Sequence, residues 1–122
     1  LSARATAFAD VNAAWECLHA LATVVPMLVF EQDLNPGTLP ERFRHETGGI
    51  ELTMTEGSQT NRDRRMGRLR KAEFDGRTWD VSPHIKWGSD FRVHFALDRE
   101  GQRVVVGHCG DHLDTAGTRR RR

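Results

Sequence analysis

The chain has 122 residues, 38% of them hydrophobic, with three Trp and six Phe, enough for one two-layer core and too few for two independent ones. Two cysteines, Cys17 and Cys109, do not make a disulfide framework, and no apolar run approaching about 18 residues and no secretory signal pattern is read, so a cytoplasmic protein with no membrane segment is expected. The formal charge of +1 hides an asymmetry: residues 1–61 hold 3 basic and 8 acidic side chains and residues 62–122 hold 15 basic and 9 acidic, so the second half is the one that attracts a polyanion.

From Ser2 to Val25, apolar residues recur at Phe8, Val11, Trp15, Leu18, Ala22 and Val25. This alternating spacing of three and four predicts one amphipathic helix buried along that stripe, with Ser2 as its cap. Pro26 interrupts the helical hydrogen bonding, and residues 27 to 30 are expected to continue as a short extended piece. Asn35-Pro36-Gly37-Thr38-Leu39-Pro40 is turn chemistry, followed by a helical turn over residues 40 to 45.

Ile50, Leu52 and Met54 alternate with Glu51, Thr53 and Thr55, the period of a half-buried strand. Thr60 and Asp63 resemble a helix cap leading a segment to about Lys71, anchored by Met66 and Leu69 and weakened by Gly67. A hairpin turning at Asp75-Gly76 is the competing reading of the region that follows. Residues 91 to 97 alternate, residues 98 to 102 form a polar turn, and residues 103 to 108 return as a valine-rich strand, so the two strands should pair antiparallel. The fold class expected is α+β: a long N-terminal helix packed on a small antiparallel β-sheet, one domain over residues 1–118 with a basic tail at 119–122.

Four of the six histidines lie in the last 39 residues. Alternation puts Arg92 and His94 on the strand face opposite the core, an open sheet face that His108 and Lys86 approach. Arginine offers two parallel donors to phosphate, and imidazole moves protons near neutral pH. If the chain is an enzyme, the chemistry that fits is metal-independent RNA cleavage, with His94 and His108 as general base and acid and with Arg92 and Lys86 stabilising the phosphorane. An ordinary solvated sheet face is the alternative.

Arg62, Arg64, Arg65, Arg68, Arg70, Lys71 and Arg77 place seven cations within 16 residues. On a helix, Arg64, Arg68 and Lys71 share one stripe with Arg65 beside it, suited to a nucleic-acid backbone. Trp79 and Trp87 are either stacking platforms for bases or core residues. His108 and Cys109 are adjacent on a strand and point apart, so they do not bind one ion together. A His108 and His112 pair completed by His84 or His94 is the remaining metal arrangement, and neither metal nor cofactor is expected. A non-catalytic module that binds nucleic acid or protein remains the rival class.

Phe91-Arg92-Val93-His94-Phe95, the polar turn and Val104-Val105-Val106-Gly107-His108 resemble the closing hairpin of the RelE, ParE and HigB toxin superfamily. The resemblance implies a small α+β domain, messenger RNA as substrate and an antitoxin as protein partner. By position it implies a phosphate contact for Arg92 and an acid or base at His108. The single long helix and the ending Gly110-Asp111-His112-Leu113 differ from the helical hairpin and lysine-rich ending common in that superfamily.

Overall fold

The computed structural model describes residues 11–55, 64–88 and 91–111. The expected roles of Ser2, Phe8, Thr60, Arg62, Asp63 and His112, and the tail at 119–122, lie outside the described residues, as do the side chains of Arg64, Arg65 and Met66. The long helix α1, Val11–Pro26, packs with α2, Leu39–Thr47, on a four-stranded antiparallel sheet. The sheet is built from β1 (Glu51–Thr53), β4 (His84–Trp87), β5 (Phe91–Asp98) and β6 (Arg103–Asp111), in that spatial order. Between β1 and β4 the chain makes a short helix α3, Arg64–Leu69, and a separate hairpin of β2, Lys71–Phe74, and β3, Arg77–Asp80. The long helix on a small antiparallel sheet is the expected architecture.

The buried face of α1 matches expectation at Val25 and Leu18 and differs from it elsewhere. Ala13, Cys17, Ala20, Leu21 and Val25 face the sheet, whereas Val11 and Trp15 are 64% and 66% exposed and Ala22 is exposed. The helix is apolar on two sides, so spacing alone did not choose between them, and the stripe of small residues is the one lying against the sheet. Pro26 does not end the helix either. Residues Met27–Glu31 continue it as a π turn, closed by the Gln32 N–H donating to the Met27 carbonyl at 3.0 Å. The wider turn accommodates a residue that lacks a backbone donor, so Leu28 and Val29 enter the core from a helix and not from an extended piece. The resulting 21-residue segment Val11–Glu31 is, contrary to the reading of the sequence, long and apolar enough to cross a bilayer by length and composition, with 39% of its most apolar window buried inside the fold.

Gly48 ends α2 with φ 74°, its N–H returning to the carbonyls of Arg44 and His45, the left-handed cap that glycine adopts without a Cβ penalty. That stop delivers Ile50 and Leu52 to the main core, where Phe43, Leu39, Leu21, Leu28, Ile85, Val93 and Phe95 meet.

The second face of the sheet is covered, not open. A smaller cluster of Trp79, Val81, Ala96 and Val105, with Ala72 against it, joins the β2–β3 hairpin to β5 and β6. Asp75 and Gly76 have φ of 55° and 74°, the two positive values of the tight turn that an Asp-Gly pair favours. Beneath the hairpin, the β5–β6 register shifts between His94 and Phe95, leaving Gly107 as the extra residue of a bulge. A Cβ on Gly107 would lie 2.8 and 2.9 Å from the Val81 methyls and 2.9 Å from the Ala72 Cβ. None of those atoms ends a flexible side chain, so Gly107→Ala should destabilise the fold by roughly 1–3 kcal/mol through overpacking. Urea unfolding measures this as a lowered midpoint, and a midpoint equal to wild type would contradict the close approach.

Candidate functional site

Cross-strand register assembles a row of histidines that the sequence expectation contained only in part. His84 pairs with His94, and His94 pairs with His108, so three imidazoles stand side by side on β4, β5 and β6. The His84 and His94 rings are stacked with centroids 4.7 Å apart, and His94 meets His108 edge-on at 5.9 Å. Lys86 and Arg92 form the next register pair on the same face. The four residues expected to be catalytic, His94, His108, Arg92 and Lys86, are therefore neighbours. His84 joins them, and its place in the row follows from the pairing of β4 with β5, which alternation within either strand does not reveal.

The face is not open to a substrate as it stands. His94 is 2% exposed, Arg92 8% and His84 6%, while Lys86 and His108 are half-buried. The connector from β3 to β4 lies over the row: His94 Nδ1 is 2.8 Å from the Val81 carbonyl and His84 Nδ1 is 2.8 Å from the Ser82 carbonyl. Since a carbonyl only accepts, each Nδ1 carries the proton in these bonds. Arg92 Nη1 donates to the carbonyls of Phe91 at 2.9 Å and Gly88 at 3.2 Å. The connector is itself fixed by Asp80, which accepts from the Ser82 N–H at 2.9 Å and hydroxyl at 2.6 Å. Burial pushes the Asp80 carboxyl up, but the two Ser82 bonds and Lys71 outweigh it and hold it below its ordinary value.

Among the described residues no group of three or more His, Cys, Asp and Glu is arranged to hold a metal ion. Cys109 pairs with Val93 and so lies on the face opposite His108, and burial raises its thiol above the ordinary value, away from thiolate chemistry.

The cations expected to follow a nucleic-acid backbone do not form one stripe. Helix α3 stops at Leu69, so Lys71 belongs to a strand and not to the helical face of Arg68. Arg70 is 3% exposed, placed inside by the turn whose carbonyl accepts from the Val81 N–H. Lys71 bonds Asp80 at 3.2 Å on one face of the hairpin, while Arg77 lies on the other with Phe74 and Trp79. Trp79 is core, its indole N–H donating to the Phe74 carbonyl at 3.0 Å, whereas Trp87 is 37% exposed at the end of β4.

The tip of the hairpin carries a cluster that the sequence reading missed. The Arg77 guanidinium lies 4.0 Å over the Trp79 ring and that of Arg103 5.0 Å over Phe74, which is itself 45% exposed. Arg103 also bonds Asp98 at 2.7 Å and Asp75 at 3.0 Å, tying the hairpin tip to the β5–β6 turn. The available signal was the Phe74-Asp75-Gly76-Arg77 turn, but Arg103 is 26 residues beyond it in sequence. On the opposite side of the sheet's edge, an open cleft of about 980 Å³ lies between α2 and β1, where Arg44, His45, Glu41 and Glu51 approach Lys86.

No protein-family model, no curated protein and no solved structure matches this chain.

Asp98 accepts from the Gly101 N–H and from Arg103, and these bonds hold its carboxyl below the ordinary value. A carboxyl depressed in the folded state contributes stability that is present above the unfolded value of about 3.9 and lost as pH falls through the folded one. The stability difference between wild type and Asp98→Asn should therefore be largest near pH 6 and shrink as pH drops below about 4. Urea midpoints from pH 6 to 2 measure it, and a pH-independent difference would remove Asp98 from the acid response.

Proposed function

We propose that this protein binds single-stranded RNA through the tip of the β2–β3 hairpin. The observation that carries the reading is Arg77: an exposed arginine whose guanidinium lies 4.0 Å over the Trp79 ring, with no hydrogen-bonded protein acceptor among the described residues, beside the exposed ring of Phe74. Unstacked bases lie on aromatic rings and guanidinium planes, and the free donors of the same arginine reach phosphate. Arg68 in α3 and Lys71 at the root of the hairpin, on its other face, are further exposed cations. The pair between Lys71 and Asp80 is solvent-exposed and worth little, so a phosphate can replace the carboxylate. Arg62, Arg64 and Arg65 extend the same basic stretch of sequence. The resemblance to the RelE, ParE and HigB superfamily supports RNA as the polyanion, a cytoplasmic setting and a protein partner such as an antitoxin.

Filter binding of the full chain to a short single-stranded RNA at several salt concentrations tests the reading. Affinity should fall as salt rises, and Phe74→Ala and Arg77→Ala should each weaken binding by about tenfold or more, stacking being worth roughly 1–3 kcal/mol per base. No binding at low salt, or two unaffected variants, would overturn it. Deleting Arg119 to Arg122 separates the folded surface from the tail: binding lost entirely on deletion assigns it to the tail.

A second reading, metal-independent RNA cleavage, is favoured by the register that sets His94 beside His108 with Arg92 and Lys86 in the next row. In that reaction a 2′-hydroxyl attacks the adjacent phosphorus, one imidazole takes its proton, and the other protonates the leaving 5′-oxygen. Arg92 and Lys86 offset the charge that develops. The substrate must first displace the connector over His94. Cleavage of a mixed RNA pool that survives EDTA and is lost in His94→Ala and His108→Ala supports this reading. Cleavage unchanged in both variants removes these residues from it. A protein-binding module, with the exposed Val11 and Trp15 of α1 as a docking surface, is the outcome if neither binding nor cleavage is found.

A further inference from the structure

We propose that Asp98, acting through Arg103, holds the Phe74 ring ready as a stacking platform, so that a buried carboxylate strengthens the binding of a polyanion at the hairpin tip. The proposal rests on the reading of the tip as an RNA site and names the residues that position it. Pairing puts Phe74 opposite Arg77 and Ala72 opposite Trp79, all on one face of the hairpin. Ala72 and Trp79 pack into the small core cluster, whereas Phe74, one step farther out, belongs to neither cluster. The ring there has no apolar seat. Over it lies the Arg103 guanidinium, 5.0 Å from the ring centroid.

Arg103 is in turn fixed from two directions. Its Nε donates to Asp98 Oδ2 at 2.7 Å and its Nη2 to Asp75 Oδ2 at 3.0 Å. Asp75 belongs to the hairpin turn and is exposed, whereas Asp98 closes β5, is 4% exposed and accepts from the Gly101 N–H at 2.9 Å through its other oxygen. Support therefore runs from the β5–β6 turn through Asp98 and Arg103 to Phe74. A ring held in this way has less rotamer freedom to lose when a base stacks on its other face, and ordering one side chain corresponds to about twofold to tenfold in affinity.

Charge alone predicts the opposite sign. Asp98 is an anion close enough to act on Arg77 through charge, so beside a phosphate backbone its field opposes binding. Neutralising it would then tighten RNA binding. Positioning predicts weaker binding, because donors engage both oxygens of Asp98, and the amide of Asp98→Asn must turn its NH2 toward one of them.

The test measures filter binding of the full chain to a short oligouridylate at neutral pH over a range of salt, for wild type, Asp98→Asn, Phe74→Ala and the double variant. Asp98→Asn should weaken binding about twofold to tenfold with the salt dependence unchanged, since no phosphate contact is lost. In the Phe74→Ala background the same substitution should cause no further loss, because no ring is left to hold. Arg103→Lys keeps the charge but not the planar fork, and should behave as Asp98→Asn does. A chain merely destabilised by the substitution loses affinity with or without Phe74. Equal or tighter binding by Asp98→Asn, or an equal loss in both backgrounds, would overturn the proposal. No binding by wild type, or wild-type affinity in Phe74→Ala, would overturn the RNA reading of the tip and this inference with it. A loss in Phe74→Ala with none in Asp98→Asn leaves that reading standing and removes only this one. Should Asp98→Asn fail to fold, Arg103→Lys takes its place in the same cycle, with the same deciding outcomes.

Discussion

Closure of the β2–β3 hairpin onto the back of the sheet depends on one missing side chain. Val81 sits where a Cβ of residue 107 would be, and the Ala72 Cβ is as close, so only glycine lets the hairpin reach its seat. The bulge at Gly107 also resets the β5–β6 register, which puts His108 opposite His94 on one side of it and Val105 opposite Ala96 on the other. One residue thus divides the back of the sheet into an apolar seat for the hairpin and a polar row beside it. Without that seat, His94 and Arg92 would face water, and a row of imidazoles would be an ordinary solvated strand surface.

The division also decides what the basic half of the chain is available to do. Cations nearest the sheet, Arg70 and Arg92, are buried, and Arg92 is occupied by backbone carbonyls. Two of those farther out are paired with carboxylates on the same hairpin or the neighbouring turn: Lys71 with Asp80, Arg103 with Asp75 and Asp98. These four cations are therefore already enclosed or engaged within the fold. Arg77 differs in that its guanidinium lies over an aromatic ring, which orders it without consuming its donors, and it acts on the Asp98 carboxylate through charge alone.

Local patterns carried β1, β5 and β6 with the last hairpin, because period-2 alternation at residues 91 to 97 and the polar turn after them are set by neighbours in sequence. The Asp75-Gly76 turn was legible for the same reason, whereas β4, four residues long, was not read as a strand. What failed was every inference that needed to know what lay on the second face. Arg92 and His94 were read as opposite the core, which is correct for the helices and wrong for the hairpin, since a sheet covered on both sides buries polar alternates too. The stripe on α1 failed in part in a related way: Leu18 and Val25 do pack on the core, but Val11, Trp15 and Ala22 do not, and Ala13, Cys17, Ala20 and Leu21 lie against the sheet in their place. The partnership of His84 with His94 required the β4–β5 register, and that of Phe74 with Arg103 required a contact across the fold, neither of which is written in local spacing.

The two sides of the hairpin also explain why binding and chemistry need not share a place in this chain. Its tip, with Phe74 and Arg77, is tied to the β5–β6 turn and meets solvent, while its root, at Val81 and Ser82, is fastened over the imidazoles. A ligand stacked at the tip, as proposed, would leave the root undisturbed, so affinity for RNA would say nothing about whether His94 reaches a phosphate. Conversely, chemistry at the row needs the root to move, which costs the bonds to Val81 and Ser82 and the packing of Val81 against Gly107. Under the proposed reading, recognition at the tip would leave the root in place, whereas cleavage at the row would require a conformational step.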